Sequence, residues 1–157
     1  MSKSVLKFHK IELKNYRPFL DDAVEFSQDD KKPVTIVEGR NSAGKTSLVH
    51  GIHWCLYGKE KDIQDQSKGK PRCNKTKMYE IKNGESFDTE VIITLADEDG
   101  PKYVISRKLT AKRFSDDNTE KYDTDAAGNV PKGITFSTFV SYQERKKDGS
   151  WISTDID

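Results

Sequence analysis

The sequence predicts an α/β domain with a mixed β-sheet, and three observations support this class. The short β-branched run at residues 33–38, Pro-Val-Thr-Ile-Val-Glu, is typical of a buried strand. Apolar residues at helical spacing follow it at Leu48, Ile52, Cys55 and Leu56. Further along the chain, alternating apolar segments are separated by turn residues, as in antiparallel hairpins. With only one main helix, the pattern does not match a doubly wound fold, in which helices alternate with strands.

Residues 1–58 are predicted to contain two strands, a glycine-rich loop and the main helix. Residues 5–13 have a strand composition, but two apolar pairs are out of phase, so we expect a β-bulge between them. The pairs are Leu6/Phe8 and Ile11/Leu13. A bend at 15–18 leads to a second short strand at 23–26. Gly58 ends the helix, and Gly51 inside it predicts close packing of the helix against the sheet.

Residues 59–157 are predicted to form a lysine-rich connection followed by hairpins. Residues 59–86 are polar and show no periodicity. Within the hairpin region 87–157, residues 87–109 alternate on either side of the Asp-Glu-Asp-Gly-Pro cluster, which predicts a hairpin. Residues 112–133 are rich in Asp, Asn and Gly and predict a flexible loop. The segment 135–145 alternates again, and a return strand is expected to begin at Trp151.

Length and composition limit the class of protein. The 157 residues are the length of one domain, so we expect residues 1–157 to form a single domain. Net charge is +1, so only a local basic patch could indicate nucleic-acid binding. Cys55 and Cys73 lie far apart and outside any CxxC pair, which argues against a disulfide framework or a zinc site, and Cys73 is expected to be exposed. No leader or membrane-spanning pattern is seen, which predicts a cytoplasmic location without a membrane partner.

Residues 39–46 form a complete G-x-x-x-x-G-K-T phosphate-binding loop between the predicted strand and the main helix. Backbone N–H groups of such a loop surround the phosphates, the lysine contacts the β and γ oxygens, and the threonine hydroxyl binds Mg²⁺. The fold prediction is therefore a P-loop NTPase, with ATP and Mg²⁺ as cofactors and Thr46 as the Mg²⁺ ligand. The predicted nucleotide-binding residues of this segment are Gly39, Arg40, Asn41, Ser42, Ala43, Gly44, Lys45, Thr46 and Ser47.

The order of motifs around this loop resembles a known family. Residues 11–17 read Ile-Glu-Leu-Lys-Asn-Tyr-Arg, a short strand ends at residues 25–27, and the helix ends at residues 53–58 with His-Trp-Cys-Leu-Tyr-Gly. The order resembles the N-terminal ATP-binding lobe of the SMC-like cassette ATPases of DNA repair and maintenance. The ending of the helix is most similar to the DndD-type ATPase of DNA phosphorothioation (sulfur modification). The resemblance covers residues 8–58, extends through the first hairpin and fades after about residue 112.

The resemblance implies roles for individual residues. Arg17 matches the arginine that lies beside the nucleotide phosphates in these ATPases, whereas the alternative is an ordinary surface arginine. Ser42 and Ala43 stand where the family usually has glycine and then a small residue, so Ser42 must adopt the dihedral angles of that glycine.

The resemblance also implies an activity and partners. ATP binding in the intact protein would drive head-to-head dimerisation, and hydrolysis would release it. The distal acidic pair, signature segment and coiled coil of the family are not recognisable in the sequence. The expectation is therefore an N-terminal part of a larger DNA-associated ATPase, with a C-terminal half and a second protomer as partners. Such a part would bind nucleotide weakly and hydrolyse it poorly or not at all, so whether this chain is itself an enzyme stays open.

Several alternatives remain open from the sequence. Asp97 and Gln143 could contact Mg²⁺, but each also fits a plain hairpin residue. A lysine-rich stretch could contact DNA phosphates or form a solvated face. Its candidate residues are Lys68, Lys70, Arg72, Lys75 and Lys77. The chain could also be a stand-alone nucleotide-binding module or a small phosphotransferase, although neither a lid arginine cluster nor an acceptor site is recognisable.

Overall fold

The computed structural model describes residues 5–59 and 70–156. Strands dominate this part of the chain, and two helices lie between the second and third strands. The elements are β1 (Lys7–Tyr16), β2 (Phe19–Glu25), α1 (Lys45–Tyr57), α2 (Lys75–Glu80), β3 (Ser86–Asp97), β4 (Gly100–Arg113), β5 (Glu120–Asp123), β6 (Gly128–Pro131), β7 (Ile134–Arg145) and β8 (Trp151–Ile156). No helix in the described ranges is both long and apolar enough to cross a membrane.

Six strands form one sheet in the order β2-β1-β3-β4-β7-β8, and β5 pairs with β6 in a separate two-stranded sheet. Every strand pair in both sheets is antiparallel. The α/β class is confirmed, but the prediction of a mixed sheet is wrong. That prediction depended on a central strand before the phosphate loop, and the described residues contain no such strand.

Residues 33–38, the predicted buried strand, have no regular structure and are exposed. The side chains of Val34 and Ile36 are 70% and 77% exposed. Thr35 contacts Ser27, whose backbone N–H donates to the threonine Oγ1 at 2.8 Å. A strand needs a hydrogen-bonding neighbour, and the free edges of the large sheet belong to β2 and β8. Residues 33–38 pair with neither of these strands, so the predicted strand does not form within the described residues.

The other strand predictions agree with the structure in kind. The register of β1 against β3 shifts between Phe8 and Lys10, which confirms the predicted bulge. The hairpin of β3 and β4 turns at residues 97–100, and β8 begins at Trp151, both as predicted. The second strand is longer than predicted, since β2 begins at Phe19.

Helix α1 packs on one face of the sheet and forms the main core with it. The apolar residues buried between them are Ile11, Leu13, Leu48, Trp54, Cys55, Val91, Ile93 and Leu109. Gly51 permits the approach, because a Cβ atom there would lie 3.2 Å from Leu13 Cδ2 and 3.3 Å from Tyr16 Cε1. The close packing predicted for Gly51 is confirmed. The Tyr16 and Trp54 rings stack with centroids 5.7 Å apart.

Two segments predicted to be irregular are structured. Residues 112–133 contain the end of β4 and the β5–β6 hairpin, and Ala126 and Val130 are fully buried. Their composition predicted a flexible loop because it is polar, yet the few apolar residues pack into the core. In the predicted connection 59–86, residues 60–69 lie outside the described ranges, and α2 occupies part of the remainder.

The expectation that Cys73 is exposed is also wrong. Its side chain is 1% exposed and joins the core beside Met78. A β-bridge pairs it with Tyr16 at the end of β1. Burial raises the pKa of the Cys73 thiol to about 12, so it behaves as a neutral apolar group.

Candidate nucleotide-binding site

The phosphate loop leads directly into the N-terminus of α1. Gly44 is the N-cap of this helix with φ of +100°, and its carbonyl accepts from the Leu48 N–H at 2.9 Å. A Cβ atom on Gly44 would lie 2.8 Å from Phe19 Cζ and 3.0 Å from Pro18 Cγ. Both the dihedral angle and the close approach of the β1–β2 turn therefore require glycine at this position. The turn fixes where the helix begins and, with it, where the loop N–H groups lie.

Ser42 adopts a φ of +68°, a left-handed conformation that glycine adopts most easily. The sequence predicted that a serine in this place would have to accept glycine-like dihedral angles, and the structure confirms it. Ala43 follows, and its N–H donates to the Arg40 carbonyl at 3.1 Å. The loop keeps its compact turn although a side chain replaces the usual hydrogen.

The Lys45 ammonium folds back over the loop. Its Nζ donates to the Gly39 carbonyl and, at 2.9 Å, to the Arg40 carbonyl. The first turn of α1 contains no acidic residue, so no side-chain carboxylate there competes for the helix N-terminus. Unpaired N–H groups and the helix dipole make such a terminus attract anions. Neutral carbonyls hold the lysine only weakly compared with a phosphate, so an anion can take their place.

A cavity of about 610 Å³ opens in front of this loop. This volume lies in the usual range for small-molecule sites. Three parts of the chain line it: the β1–β2 turn, the start of α1 with its loop, and residues 70–76. The lining residues are Arg17, Pro18, Asn41, Ser42, Gly44, Lys45, Thr46, Ser47, His50, Lys70, Pro71, Cys73, Asn74, Lys75 and Thr76.

Arg17 lines the cavity, and its predicted place beside the nucleotide phosphates stays a prediction. It sits in the turn after β1 with φ of +50°, and its Nη1 lies 2.8 Å from Nδ1 of His50. His50 is 2% exposed and was not singled out from the sequence. His50 stands four residues after Thr46 and so shares its face of the helix, but only the fold brings it beside Arg17. The pair fixes the guanidinium beside the phosphate loop.

Thr46 fits the predicted magnesium role in one respect. It lies in the first turn of α1, lines the cavity and is exposed, so its hydroxyl is available to a hard cation held by phosphates. In the described part of the chain, no three His, Cys, Asp or Glu side chains cluster closely enough to hold a metal ion. Any Mg²⁺ there would depend on the nucleotide phosphates and water for its remaining ligands.

Asp97 and Gln143 lie away from this cavity. Asp97 is in the β3–β4 turn, where Lys102 lies 3.2 Å from its carboxylate. The Asp99 N–H and Lys102 hold its pKa below the usual range. Gln143 is a strand residue of β7, paired with Val104 and Ser153. Both are hairpin residues, which was the plainer of the two interpretations open from the sequence.

The candidate DNA-contacting residues do not form one surface. Lys70 and Lys75 line the same cavity as the phosphate loop, and Lys77 is exposed on α2 outside it. Arg72 is 6% exposed and donates to backbone carbonyls, so its inclusion in an exposed basic patch is wrong. A charged residue within a lysine run is usually solvated, whereas this one is held inside the fold. Lys68 lies outside the described residues.

Comparison with known proteins gives a family and distant relatives. A family model described as "AAA domain" matches residues 10–149. The C subunit of nuclease SbcCD from Staphylococcus haemolyticus (strain JCSC1435) is 36% identical over 50 residues, or 32% of this chain. Its counterpart from Staphylococcus aureus (strain JH9) is 31% identical over 49 residues, or 31% of this chain. The matched stretch covers only 5% of the length of each relative.

Proposed function

The chain belongs to the AAA domain family, and on that premise we propose that it binds ATP with Mg²⁺ in the cavity beside the phosphate loop. One observation carries the proposal: a complete G-x-x-x-x-G-K-T loop opens at a helix N-terminus into a cavity of nucleotide size. The similarity to the C subunit of nuclease SbcCD supports an SMC-like ATPase lobe in particular.

Each part of the cavity has a role in this proposal. The loop N–H groups and Lys45 bind the phosphates, Arg17 adds a second positive charge beside them, and the Thr46 hydroxyl holds Mg²⁺. With the phosphates at the loop end, the nucleoside is proposed to extend toward residues 70–76, which also line the cavity. Lys70 and Lys75 are therefore proposed to face nucleotide rather than DNA.

For the intact protein we propose an ATPase lobe that works with further parts. The similar SbcCD protein is named as part of a nuclease, so DNA association is proposed here, in DNA phosphorothioation or repair. The exposed, strand-like residues 33–38 support a C-terminal ATPase half, because a strand from such a half could pair with them beside the phosphate loop. ATP-driven head dimerisation with a second protomer belongs to the same proposal, as does Lys77 as a DNA contact.

Calorimetric titration of ATP with Mg²⁺ into the chain and into Lys45→Ala tests nucleotide binding. We expect the variant to lose binding by about 100-fold, since a charge-assisted contact to phosphate is worth roughly 2–3 kcal/mol. Lys77→Ala is the matched control, because Lys77 is exposed on α2 but does not line the cavity, and it should bind ATP as the wild type does. Equal affinity of wild type and Lys45→Ala would contradict the proposal.

Phosphate release in the same samples, with GTP alongside ATP, separates the remaining possibilities. Binding that favours ATP without turnover supports an incomplete lobe that needs its second half. Turnover by this chain would instead favour a stand-alone phosphotransferase and would place a catalytic acid within these residues. Duplex DNA titrations at several salt concentrations, with and without Lys77→Ala, test the DNA contact through the change in the salt slope.

A further inference from the structure

Residues 70–76 form one wall of the cavity, and one residue within this segment does not line it. Lys70, Pro71, Cys73 and Asn74 line the cavity, whereas Arg72 does not and is 6% exposed. A buried guanidinium is costly unless its charge and its N–H groups find partners. The contacts of Arg72 therefore show what this wall is fastened to.

Arg72 fastens the wall to the β5–β6 hairpin and to helix α1. Its Nη1 donates to the Asp125 carbonyl at 2.6 Å and lies 3.4 Å from the Thr124 carbonyl, both in the turn between β5 and β6. The Arg72 backbone N–H donates to the Ala126 carbonyl at 2.8 Å. The guanidinium carbon lies 5.5 Å from the centroid of the Trp54 ring, a cation–π distance. One side chain thus joins the hairpin turn, the wall and the helix.

The same short segment is bonded on its other side to the turn that carries Arg17. The Arg17 N–H donates to the Arg72 carbonyl at 2.8 Å. The Asn74 N–H donates to the Asn15 carbonyl at 2.6 Å, and the Asn74 side-chain amide donates to the Arg17 carbonyl at 2.7 Å. Asn74 Oδ1 also accepts from the Lys77 N–H at 3.1 Å and so caps α2. Any shift of the wall would therefore move the start of α2.

Gly128 lets the hairpin lie directly against this wall. A Cβ atom on Gly128 would lie 2.5 Å from the Pro71 backbone nitrogen and 2.7 Å from the Lys70 carbonyl carbon. Those two residues line the cavity on their other side. The hairpin is thus in backbone contact with the wall at Gly128 and bonded to it at Arg72.

We propose that Arg72 is a positioning residue, which holds residues 70–76 against the β5–β6 hairpin so that this wall is preformed for the nucleoside part of the ligand. The inference rests on the proposed nucleotide binding and assigns a positioning element to the same cavity. The phosphate loop belongs to a different wall of the cavity, at the start of α1. The Arg17 N–H bonds to the backbone carbonyl of Arg72, which a side-chain substitution keeps, so phosphate binding does not require the Arg72 side chain. A preformed wall raises affinity because its ordering cost is met before the ligand arrives.

The test compares two ligands, ATP and inorganic tripolyphosphate, each with Mg²⁺, on the full chain and on Arg72→Met. The variant keeps a long apolar side chain but loses the charge and donors. We expect ATP affinity to fall by about 10-fold and tripolyphosphate affinity to stay within about 2-fold, because only ATP uses the nucleoside wall. Arg72→Lys, which keeps a charge over Trp54 and one donor, should recover part of the ATP affinity.

Arg107→Met is the matched control. Arg107 is also partly buried and donates through Nε to the Cys55 carbonyl of α1 at 3.1 Å, but it does not line the cavity. We expect this variant to leave the ratio of ATP to tripolyphosphate affinity unchanged. Gly128→Ala disturbs the same wall from the hairpin side, because the added Cβ atom would press on the Pro71 backbone, and it should lower ATP affinity selectively, as Arg72→Met does.

The outcomes separate this inference from the proposed function. If Arg72→Met weakens both ligands equally, or neither, the positioning role is wrong, and the same holds if Arg107→Met gives the same selective loss. A wild-type chain that binds neither ATP nor tripolyphosphate overturns the proposed function, and this inference with it. Should Arg72→Met fail to fold in thermal unfolding, Arg72→Lys decides by the same ratio.

Discussion

Two segments of nearly the same character behave in opposite ways in this protein. Residues 91–96 of β3 read Val-Ile-Ile-Thr-Leu-Ala, and residues 33–38 read Pro-Val-Thr-Ile-Val-Glu. In the first, Val91 and Ile93 are fully buried. In the second, the apolar side chains are exposed and no strand forms. Strand-forming composition therefore does not by itself produce a strand.

The difference is one of neighbours. Strand β3 has β1 and β4 hydrogen-bonded on its two edges, and α1 covers the face that carries Ile93. Residues 33–38 have neither a partner strand nor a covering helix within the described residues. Backbone groups that stay solvated gain nothing from extended pairing, and apolar side chains that stay in water gain no burial energy. The second segment nevertheless leads into the phosphate loop, where its position bears on the site.

The largest expected effect comes from shortening one buried side chain within residues 91–96. Ile93→Ala removes a fully buried side chain that packs under α1, and its loss leaves a cavity. We expect the free energy of unfolding to fall by roughly 2–5 kcal/mol. Urea denaturation followed by circular dichroism measures it. A loss below about 1 kcal/mol would mean that the core beneath α1 is less well packed than in the structure.

A smaller effect is expected where α1 covers the sheet. Gly51→Val would place side-chain atoms against Leu13 and Tyr16, and such overpacking costs about 1–3 kcal/mol. The matched control is Val49→Ala, two residues away on the exposed side of the same helix, which should change stability by less than about 0.5 kcal/mol. Equal effects of the two substitutions would contradict the packing of α1 through Gly51.

The contrast also explains which features of the fold could be predicted from the sequence alone. The phosphate loop, the β1 bulge, the Gly51 contact and both long hairpins depend on local spacing, and the sequence predicted them. The prediction of a mixed sheet was wrong because it required residues 33–38 to pair with another strand, and such pairing depends on residues that are distant in the sequence. The β5–β6 hairpin was not predicted, because only a few buried residues, among them Ala126, Val130 and Pro131, hold an otherwise polar segment.

The cavity follows the same division between local and non-local information. Spacing singles out the phosphate-loop residues, most of which line the cavity, and a family resemblance singles out Arg17, which also lines it. Their contact with nucleotide stays a prediction. The sequence groups Arg72 with surface lysines, because it does not show that Trp54 and the hairpin turn surround this residue. Spacing alone does not select His50, since only the fold brings it within 2.8 Å of Arg17.

A still smaller loss of stability is expected at alkaline pH, because two free cysteines lie in the buried core. Burial raises the thiol pKa of Cys55 and of Cys73 from 9.0 to about 12. A raised acid pKa means that the folded state keeps the neutral thiol, so stability is full below pH 9 and falls as pH rises from 9 toward 12. At pH 9 the two thiols together should cost about 1 kcal/mol. Denaturation curves from pH 7 to 9.5 measure this slope.

The control for the thiol effect is the double variant Cys55→Ala and Cys73→Ala. Its stability should be lower at neutral pH but should depend less on pH over the same interval, because the titrating thiols are gone. Thiol-specific labelling of the native wild type at pH 8 should be slow for the same reason, since reaction requires an exposed thiolate. An unchanged pH slope in the double variant would show that other groups cause the alkaline loss.

The smallest expected effect comes from a substitution in the exposed residues 33–38. Ile36→Ala makes the same chemical change as Ile93→Ala, but at a side chain that is 77% exposed, so stability should change by less than about 0.5 kcal/mol. Denaturation of the two variants under identical conditions gives the ratio directly. A loss comparable with that of Ile93→Ala would mean that residues 33–38 already pair within this chain, and the support that they lend to a C-terminal half would disappear. A negligible loss here, joined to a large one when the proposed C-terminal half is added, would indicate that the strand side of the phosphate loop is anchored only when that half is present.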